Sequence, residues 1–232
     1  MNILCIETSA RVCSAALCRD GVPVAEYTDS ESGNHAKMLP LFVRDLLNEA
    51  SRLALPVEAV ALSEGPGSYT GLRIGASTAK GLCYGLSIPL IPLSTLLVTA
   101  AAAAAKTDVQ ETLLLPMLDA RRMEVYTAPV TANNNQLRLA GEVSAQVVKD
   151  AEWLPQEGTI LFFGDGAAKC RTLLESERVH YMDGILPNAR YMGVLAEQTY
   201  HAAGFAAPDI AYFEPFYLKE FVAAPAHIKG LQ

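Results

Sequence analysis

The stretch Asn2-Ile3-Leu4-Cys5-Ile6-Glu7-Thr8-Ser9-Ala10-Arg11-Val12-Cys13-Ser14-Ala15-Ala16-Leu17-Cys18-Arg19-Asp20-Gly21-Val22-Pro23-Val24-Ala25-Glu26-Tyr27-Thr28 reads as three strands in succession. Asn2–Thr8 is an apolar run, Val12–Arg19 a run of small residues, and Val22–Thr28 short and mixed. Ser9-Ala10-Arg11 separates the first two, and Asp20-Gly21 is a hairpin signal, since both residue types tolerate the positive φ of a tight turn. A helix within His35–Leu53 follows, with Leu39, Phe42, Leu46, Ala50 and Leu53 at helical spacing. Pro40 is expected in its first turn, where a missing N–H costs little.

Outward from there the chain alternates. Val57–Ser63 reads as a strand, Thr70–Leu86 as a helix, Ile88–Leu93 as a strand and Ser94–Lys106 as a helix capped by Ser94 or Thr95. The order βββαβαβα predicts a mixed sheet with helices on its faces. After Lys106–Thr112 it begins again: strands at Thr112–Leu118, Glu124–Thr131 and within Gln136–Val148, a helical turn at Asp150–Leu154, a strand at Thr159–Phe163, a helix at Gly166–Ser176, a strand at Val179–Met182 and a helix at Asn188–Ala203. Two related lobes, 1–107 and 108–232, with a cleft between them are therefore expected, the architecture of the actin, sugar-kinase and Hsp70 ATPases. The tail Pro208–Gln232 carries Tyr212, Phe213, Phe216, Tyr217 and Phe221 without a period. The alanine run Ala100–Ala105 needs no function, because alanine is the best helix former and a small-residue helix can lie close to a sheet.

Composition narrows the classes. With 232 residues, 51% of them hydrophobic and 19% charged, the chain can bury a core and is not disordered. Its net charge of −7, with no basic run, argues against nucleic-acid binding by this chain alone. Cys5, Cys13, Cys18, Cys83 and Cys170 are odd in number and form no Cys-x-x-Cys pair, so buried thiols in a reducing cytosol are expected. The uncharged stretch Gly81–Ala105 is long enough to span a bilayer. It is cut by Gly85, Pro89, Pro92, Ser94 and Thr95, and reads as a buried αβα passage rather than a membrane span.

Three segments could carry chemistry. Gly65-Pro66-Gly67-Ser68-Tyr69-Thr70-Gly71-Leu72-Arg73 is a strand end turning into a helix. It is neither a P-loop nor a dinucleotide fingerprint, and is open to a structural turn or to an anion or partner site. The helix after it carries Gly71, Gly75, Gly81 and Gly85, each costing roughly 1 kcal/mol against alanine. Gly71, Gly75 and Ala79 form a flat stripe overlapping an apolar one that includes Leu72 and Leu82. Such a helix packs on two sides, one being its own sheet and the other a neighbouring helix or a second chain. Asp119-Ala120-Arg121-Arg122 would approach nucleotide phosphates in a two-lobed ATPase, or form a salt-bridged turn. Gly164-Asp165-Gly166 is a strand–turn–helix where a base or phosphate could sit, a weak signal by itself. His35, His180, His201 and His227 are isolated, with no His-Glu-x-x-His, and no serine lies in a Gly-x-Ser-x-Gly elbow, so no catalytic residue and no metal ligand is expected.

Ile3-Leu4-Cys5-Ile6-Glu7-Thr8-Ser9, Cys13-Ser14-Ala15-Ala16-Leu17, Gly65–Gly75, Ile91-Pro92-Leu93-Ser94-Thr95-Leu96, Asp119–Tyr126 and Glu214-Pro215-Phe216-Tyr217-Leu218 together resemble the TsaB (YeaZ) family. The resemblance implies the two-lobed actin-like ATPase fold, ribonuclease H-like with mixed sheets and flanking helices. It also implies a cytoplasmic role in making threonylcarbamoyladenosine in tRNAs that read codons starting with A. The family's members act as non-catalytic partners of a TsaD-like catalytic subunit, joined by a TsaE-like ATPase. They form homodimers when alone and meet tRNA only through the complex, with no cofactor of their own and no membrane association. Where TsaD-like enzymes carry acidic residues after the Glu-Thr-Ser run, this chain has Arg11 and Val12. Where they carry a metal-binding histidine motif, it has Leu93-Ser94-Thr95-Leu96. Their second phosphate loop corresponds to Asp119–Arg122 and their nucleoside-binding segment to Gly164–Gly166.

The leading expectation is thus a scaffold that binds its partner through the two first-lobe helices, using Leu39, Phe42, Leu46, Gly71, Leu72, Gly75, Ala79 and Leu82. Replacing Gly75 or Ala79 with Leu should then abolish association and leave the monomer folded. Glu7, Thr8, Ser9, Gly65, Gly67, Ser68, Thr70, Asp119, Arg121, Gly164 and Gly166 are the candidate anion, nucleotide or structural loops. The alternatives are an independent kinase or ATPase of the same fold, requiring Mg-dependent nucleotide binding, and a glycoprotease-like peptidase, requiring a metal or a nucleophile–base pair.

Overall fold

The computed structural model describes residues 1–31, 33–110, 112–134 and 136–219; Phe221 and the rest of the tail beyond 219 lie outside them. The first half contains β1 (Asn2–Glu7), β2 (Cys13–Arg19), β3 (Val22–Asp29), α1 (His35–Arg52), β4 (Ala59–Gly65), α2 (Tyr69–Leu86), β5 (Leu90–Ser94) and α3 (Thr95–Ala104). The second contains β6 (Thr112–Pro116), β7 (Leu118–Asp119), β8 (Glu124–Thr127), β9 (Val130–Asn133), β10 (Gln136–Leu139), β11 (Ser144–Val147), β12 (Thr159–Phe163), α4 (Ala167–Leu174), β13 (Val179–Met182), a 3-10 turn (Ala189–Tyr191) and α5 (Gly193–Tyr200).

The expected repetition is present in the sheets. The first runs β3-β2-β1-β4-β5 and the second β10-β9-β6-β12-β13, with β7, β8 and β11 forming a small sheet of their own. In each five-stranded sheet the first three strands in sequence are antiparallel neighbours and the last two pair parallel. This is the two-lobed mixed α/β architecture of the actin-like ATPase fold.

Strand alternation divides the first sheet into two faces. Leu4, Ile6, Leu17, Val60 and Leu62 face α1 and α2, whose Leu39, Phe42, Leu46, Ala76 and Ala79 complete that core. Ile3, Cys5, Ala16, Cys18, Ala59 and Ala61 face the other way, toward Val98 of α3. The second sheet places Leu115, Ile160 and Phe162 against α4, and Leu114, Leu161 and Phe163 against Ala100, Ala102 and Ala103 of α3. Helix α3 thus lies between the sheets, which is the physical use of its alanines. The Gly81–Ala105 stretch folds as the end of α2, then β5 and α3, and among the described residues no helix is long and apolar enough to cross a membrane. All five cysteines are buried and free.

Several expected boundaries are corrected. Helix α1 starts at His35, so Pro40 stands in its second turn. The strand expected over Glu124–Thr131 splits at Ala128-Pro129, Asp150–Leu154 is a hydrogen-bonded turn without a helix, and the helix expected over Asn188–Ala203 divides into the 3-10 turn and α5. The division at 107/108 is not a clean partition either. Ala189, Met192, Leu195 and Ala196 pack on the first sheet, and Phe213 packs into the core between that sheet, α1 and α2. Ser14 Oγ accepts from Ala189 N at 2.9 Å, and a Cβ on Gly193 would stand 2.9 Å from Cys18 Sγ.

Candidate functional site

The carboxyl ends of β1 and β4 and the start of α2 meet at a point set by glycines. Ser68 caps α2, accepting from Gly71 N, and donates its own backbone N–H to Ser9 O at 2.6 Å. Thr8 Oγ1 donates to Gly71 O at 2.8 Å. A Cβ on Gly67, Gly71 or Gly75 would overlap Ser9 or Thr8, so the glycine stripe of α2 packs on its own β1. On Gly65, where φ is +128°, a Cβ would stand 2.5 Å from Phe216 O. The Gly65–Gly75 segment is therefore a close-approach joint between α2, β1 and the tail.

That placement corrects the expected partner residues. Leu39, Phe42, Leu46, Gly71, Leu72, Gly75 and Ala79 are buried inside this chain, and only Leu82 is half-exposed. Spacing alone does not distinguish a stripe that faces a sheet from one that faces a partner. The outward side of α2 carries Arg73, Ser77, Gly81, Tyr84, Gly85 and Leu86. Tyr84 is 84% exposed, and among the described residues nothing lies within 4 Å of a Cβ built on Gly81 or Gly85.

Between the halves lies a cleft of about 880 Å³. From the first half it is lined by Ser9, Ala10, Arg11, His35, Gly67, Ser68, Tyr69 and Thr70, and from the second by Asp119, Arg121, Arg122, Tyr126 and Asp165. The strap Phe216-Tyr217-Leu218-Lys219 closes one side. Of the candidate loop residues, Ser9, Gly67, Ser68, Thr70, Asp119 and Arg121 reach the cleft wall. Glu7 and Thr8 lie buried behind it. Gly164 and Gly166 are spacers, where a Cβ would collide with Met117 O or stand 2.9 Å from Val125, and only Asp165 between them reaches the cleft.

The Asp119 turn differs from the salt-bridged turn weighed from sequence. Asp119 Oδ1 accepts from Arg121 N at 2.9 Å and pairs with Lys169 of α4, not with either arginine side chain. Asp165 Oδ1 accepts from Asp119 N at 2.9 Å, and Glu124 pairs with Lys219. Arg121 and Arg122 take φ values of +69° and +49°. The left-handed region costs a residue with a Cβ roughly 1–2 kcal/mol, and a turn with two such positions ordinarily carries Asn-Gly. His35 Nε2 lies 2.9 Å from Ala10 O and ties α1 to the β1–β2 turn. Arg122 and Tyr126 reach the cleft with the turn singled out from sequence, whereas Arg11 and the strap residues belong to it without having been singled out for it.

Glu7 is fully buried at the end of β1. Its Oε1 accepts from Ser9 N at 2.6 Å and Ser9 Oγ at 2.5 Å. The nearby Ser63 hydroxyl favours its ionised form but bonds Thr95 Oγ1 at 2.8 Å, and among the described residues Glu7 Oε2 has no hydrogen-bond partner. Desolvation outweighs these donors and holds the carboxyl above the usual range. Burial likewise raises Glu64, and raises Asp165 against the pull of Arg11. Among the described residues no group of three or more His, Cys, Asp or Glu is placed to hold a metal ion.

The family described as TsaD, tRNA N6-adenosine threonylcarbamoyltransferase, matches residues 26–226. The tRNA threonylcarbamoyladenosine biosynthesis protein TsaB of Escherichia coli K12 is 33% identical over 229 residues, covering 96% of each chain. The chain belongs to the TsaB (YeaZ) family. The TsaB of Bacillus subtilis is 34% identical, covering 75% of this chain and 76% of its own. Among solved structures, YeaZ from Pseudomonas aeruginosa superposes with a TM-score of 0.80 at 27% identity, covering 94% of this chain and 99% of that one. The Escherichia coli and Pseudomonas aeruginosa relatives are matched over nearly the whole of this chain.

Proposed function

We propose that this TsaB-family chain takes part in tRNA threonylcarbamoyladenosine biosynthesis as a non-catalytic scaffold in the cytoplasm. It binds a TsaD-like catalytic subunit together with a TsaE-like ATPase, and forms a homodimer through the same face when alone. The names carried by its relatives supply the pathway. The observation that carries the scaffold reading is the outward face of α2, where open space over Gly81 and Gly85 flanks an exposed Tyr84. Glycine inside a helix gives up stability. At Gly71 and Gly75 close packing on β1 accounts for that cost, whereas at Gly81 and Gly85 nothing among the described residues does. A second helix can approach closely there.

The test is co-purification of the tagged full chain with the TsaD-like protein of its own organism, alone and with TsaE. The parent chain is expected to retain both, and Gly81→Glu and Gly85→Arg to lose the TsaD-like subunit while keeping the parent's melting temperature. A complex that survives both substitutions sinks the helix-face reading.

A further inference from the structure

The strap is fastened unequally to the two halves. On the first half, Phe213 is buried in the core with α1 and α2. Lys80 of α2 donates to Ala211 O and Phe213 O, and the Phe216 amide donates to Glu64 O at 2.8 Å. Gly65 leaves no room beside Phe216 O, and the Tyr217 ring packs on that of Tyr69 with centroids 5.2 Å apart. On the second half, among the described residues, one side chain makes the polar contacts. Lys219 pairs with Glu124 of β8 and sets its ammonium 6.0 Å from the centre of the Tyr126 ring. The Glu124 carboxylate has no other partner among the described residues.

A pair between partly exposed side chains is weak and is screened by salt. Lys219 and Glu124 are 40% and 20% exposed, so the far end of the strap can leave β8 while Phe213 and Phe216 hold its root. Without the pair, Tyr217 keeps its place by ring packing on Tyr69. The strap runs along α2, from Lys80 beside residues 211–213 to Tyr69 beside Tyr217. Arg73, on the outward side of α2, donates to Tyr69 Oη at 2.7 Å and so backs the ring that Tyr217 meets. Tyr212, Phe216 and Tyr217 are exposed, as is Tyr84 one turn beyond Lys80. The seated strap therefore extends the outward face of α2 with its own rings.

We propose that the Lys219–Glu124 pair is a releasable latch: closed, it orders Tyr217 beside α2 as part of the surface a partner protein covers, and that partner in turn holds it closed. The identity of the partner, the TsaD-like subunit, rests on the scaffold reading; the latch does not. A ligand shifts an equilibrium only through contacts that differ between the two states. The ordered Tyr217 ring, continuous with the α2 face, is that contact. Coupling is reciprocal, so losing the latch lowers the partner's affinity by the factor through which the partner favours closure.

The experiment is a charge swap read in two ways on the full chain. Hydrogen exchange of the isolated protein is followed at the Phe216 amide and at the Ala120 and Glu124 amides of the turn that carries Glu124. Lys219→Glu and Glu124→Lys each set like charges against one another and are expected to speed exchange there about two- to fivefold. The double swap Lys219→Glu, Glu124→Lys should restore the parent rate, which simple damage to the fold would not do. Affinity for the TsaD-like subunit should fall by a similar factor in each single variant and recover in the swap. Single variants that exchange like the parent, or a swap that does not restore the rate, overturn the latch. The exchange arm needs no partner. Failure of the parent to associate therefore sinks the scaffold reading and the partner's hold on the latch together, whereas association undiminished in both single variants sinks that hold alone.

Discussion

Thr8 and Gly75 touch with no room for a side chain between them: a Cβ on Gly75 would overlap Thr8 Oγ1 and stand 3.1 Å from Leu62 Cδ1. Thr8 Oγ1 is held in place by its bond to Gly71 O. Gly75→Ala is therefore expected to destabilise the chain by about 1–3 kcal/mol through overpacking, a fall in melting temperature of about 3–10 °C. Gly75→Leu, which the sequence suggests as a test of partner binding, reports on the fold instead. Gly81→Leu, in open space, should melt with the parent; a Gly75→Ala protein as stable as the parent would contradict the joint described here.

On the outward face the expected effects reverse. Tyr84→Asp changes a residue that contributes little to the core, so its stability should stay within about 0.5 kcal/mol of the parent. Association with the TsaD-like subunit, or with a second copy, should be lost. Size-exclusion chromatography with light scattering reads both partners, and undiminished association would remove Tyr84 from the interface.

Glu7 gives a pH dependence whose sign follows from its burial. The folded state holds the Glu7 proton more tightly than the unfolded chain, where a glutamate titrates near about 4.3. The stability it contributes is fully present below that value and is lost as pH rises through the raised folded value. Glu7→Gln keeps an acceptor for Ser9 and removes the titration. Melting curves between pH 4 and 8, on the order of one per unit, should show a shallower fall for the variant. A slope identical to the parent's would show that Glu7 is ionised in the folded protein.

Lys80 anchors the strap, donating to Ala211 O at 3.1 Å and to Phe213 O at 3.0 Å. Lys80→Met preserves the stem and removes both donors, with an expected cost of about 1–3 kcal/mol. Hydrogen exchange should accelerate at residues 210–217, including the Phe216 amide that donates to Glu64 O. Unchanged exchange there would mean that the two Lys80 bonds do not hold the strap.

The legible parts of this structure were those written locally. Buried strands bounded by turn residues, a serine cap before α2 and the repeated element order all follow from neighbours in sequence, and they gave the first sheet and four of the five described α-helices nearly to the residue, but not the division of the second half's strands between two sheets. What stayed hidden depended on distant partners. The choice of Lys169 for Asp119 is made across 50 positions, and it decides whether Arg121 and Arg122 are paired or free. The glycine stripe of α2 names a close neighbour without saying which. The strap has no period because it is neither helix nor strand, and it is held by single anchors to distant partners, such as Phe213 in the core and the Phe216 amide on Glu64 O. Of the cleft, the sequence marked the turns that form its walls but not the aromatic residues that rim it.

The packing of Ala189, Met192, Leu195 and Ala196 on the first sheet constrains the order in which the protein can be completed. A chain emerging from the ribosome N-terminus first makes β1 to β5 early, yet one face of that sheet remains only partly covered until residue 196 has been synthesised. A product ended near residue 107 would hold all five strands and still present Ile3, Ala16, Ala59 and Ile91 without those later partners, a surface suited to self-association. For this protein, stalled or truncated synthesis leaves an adhesive intermediate rather than a smaller working domain.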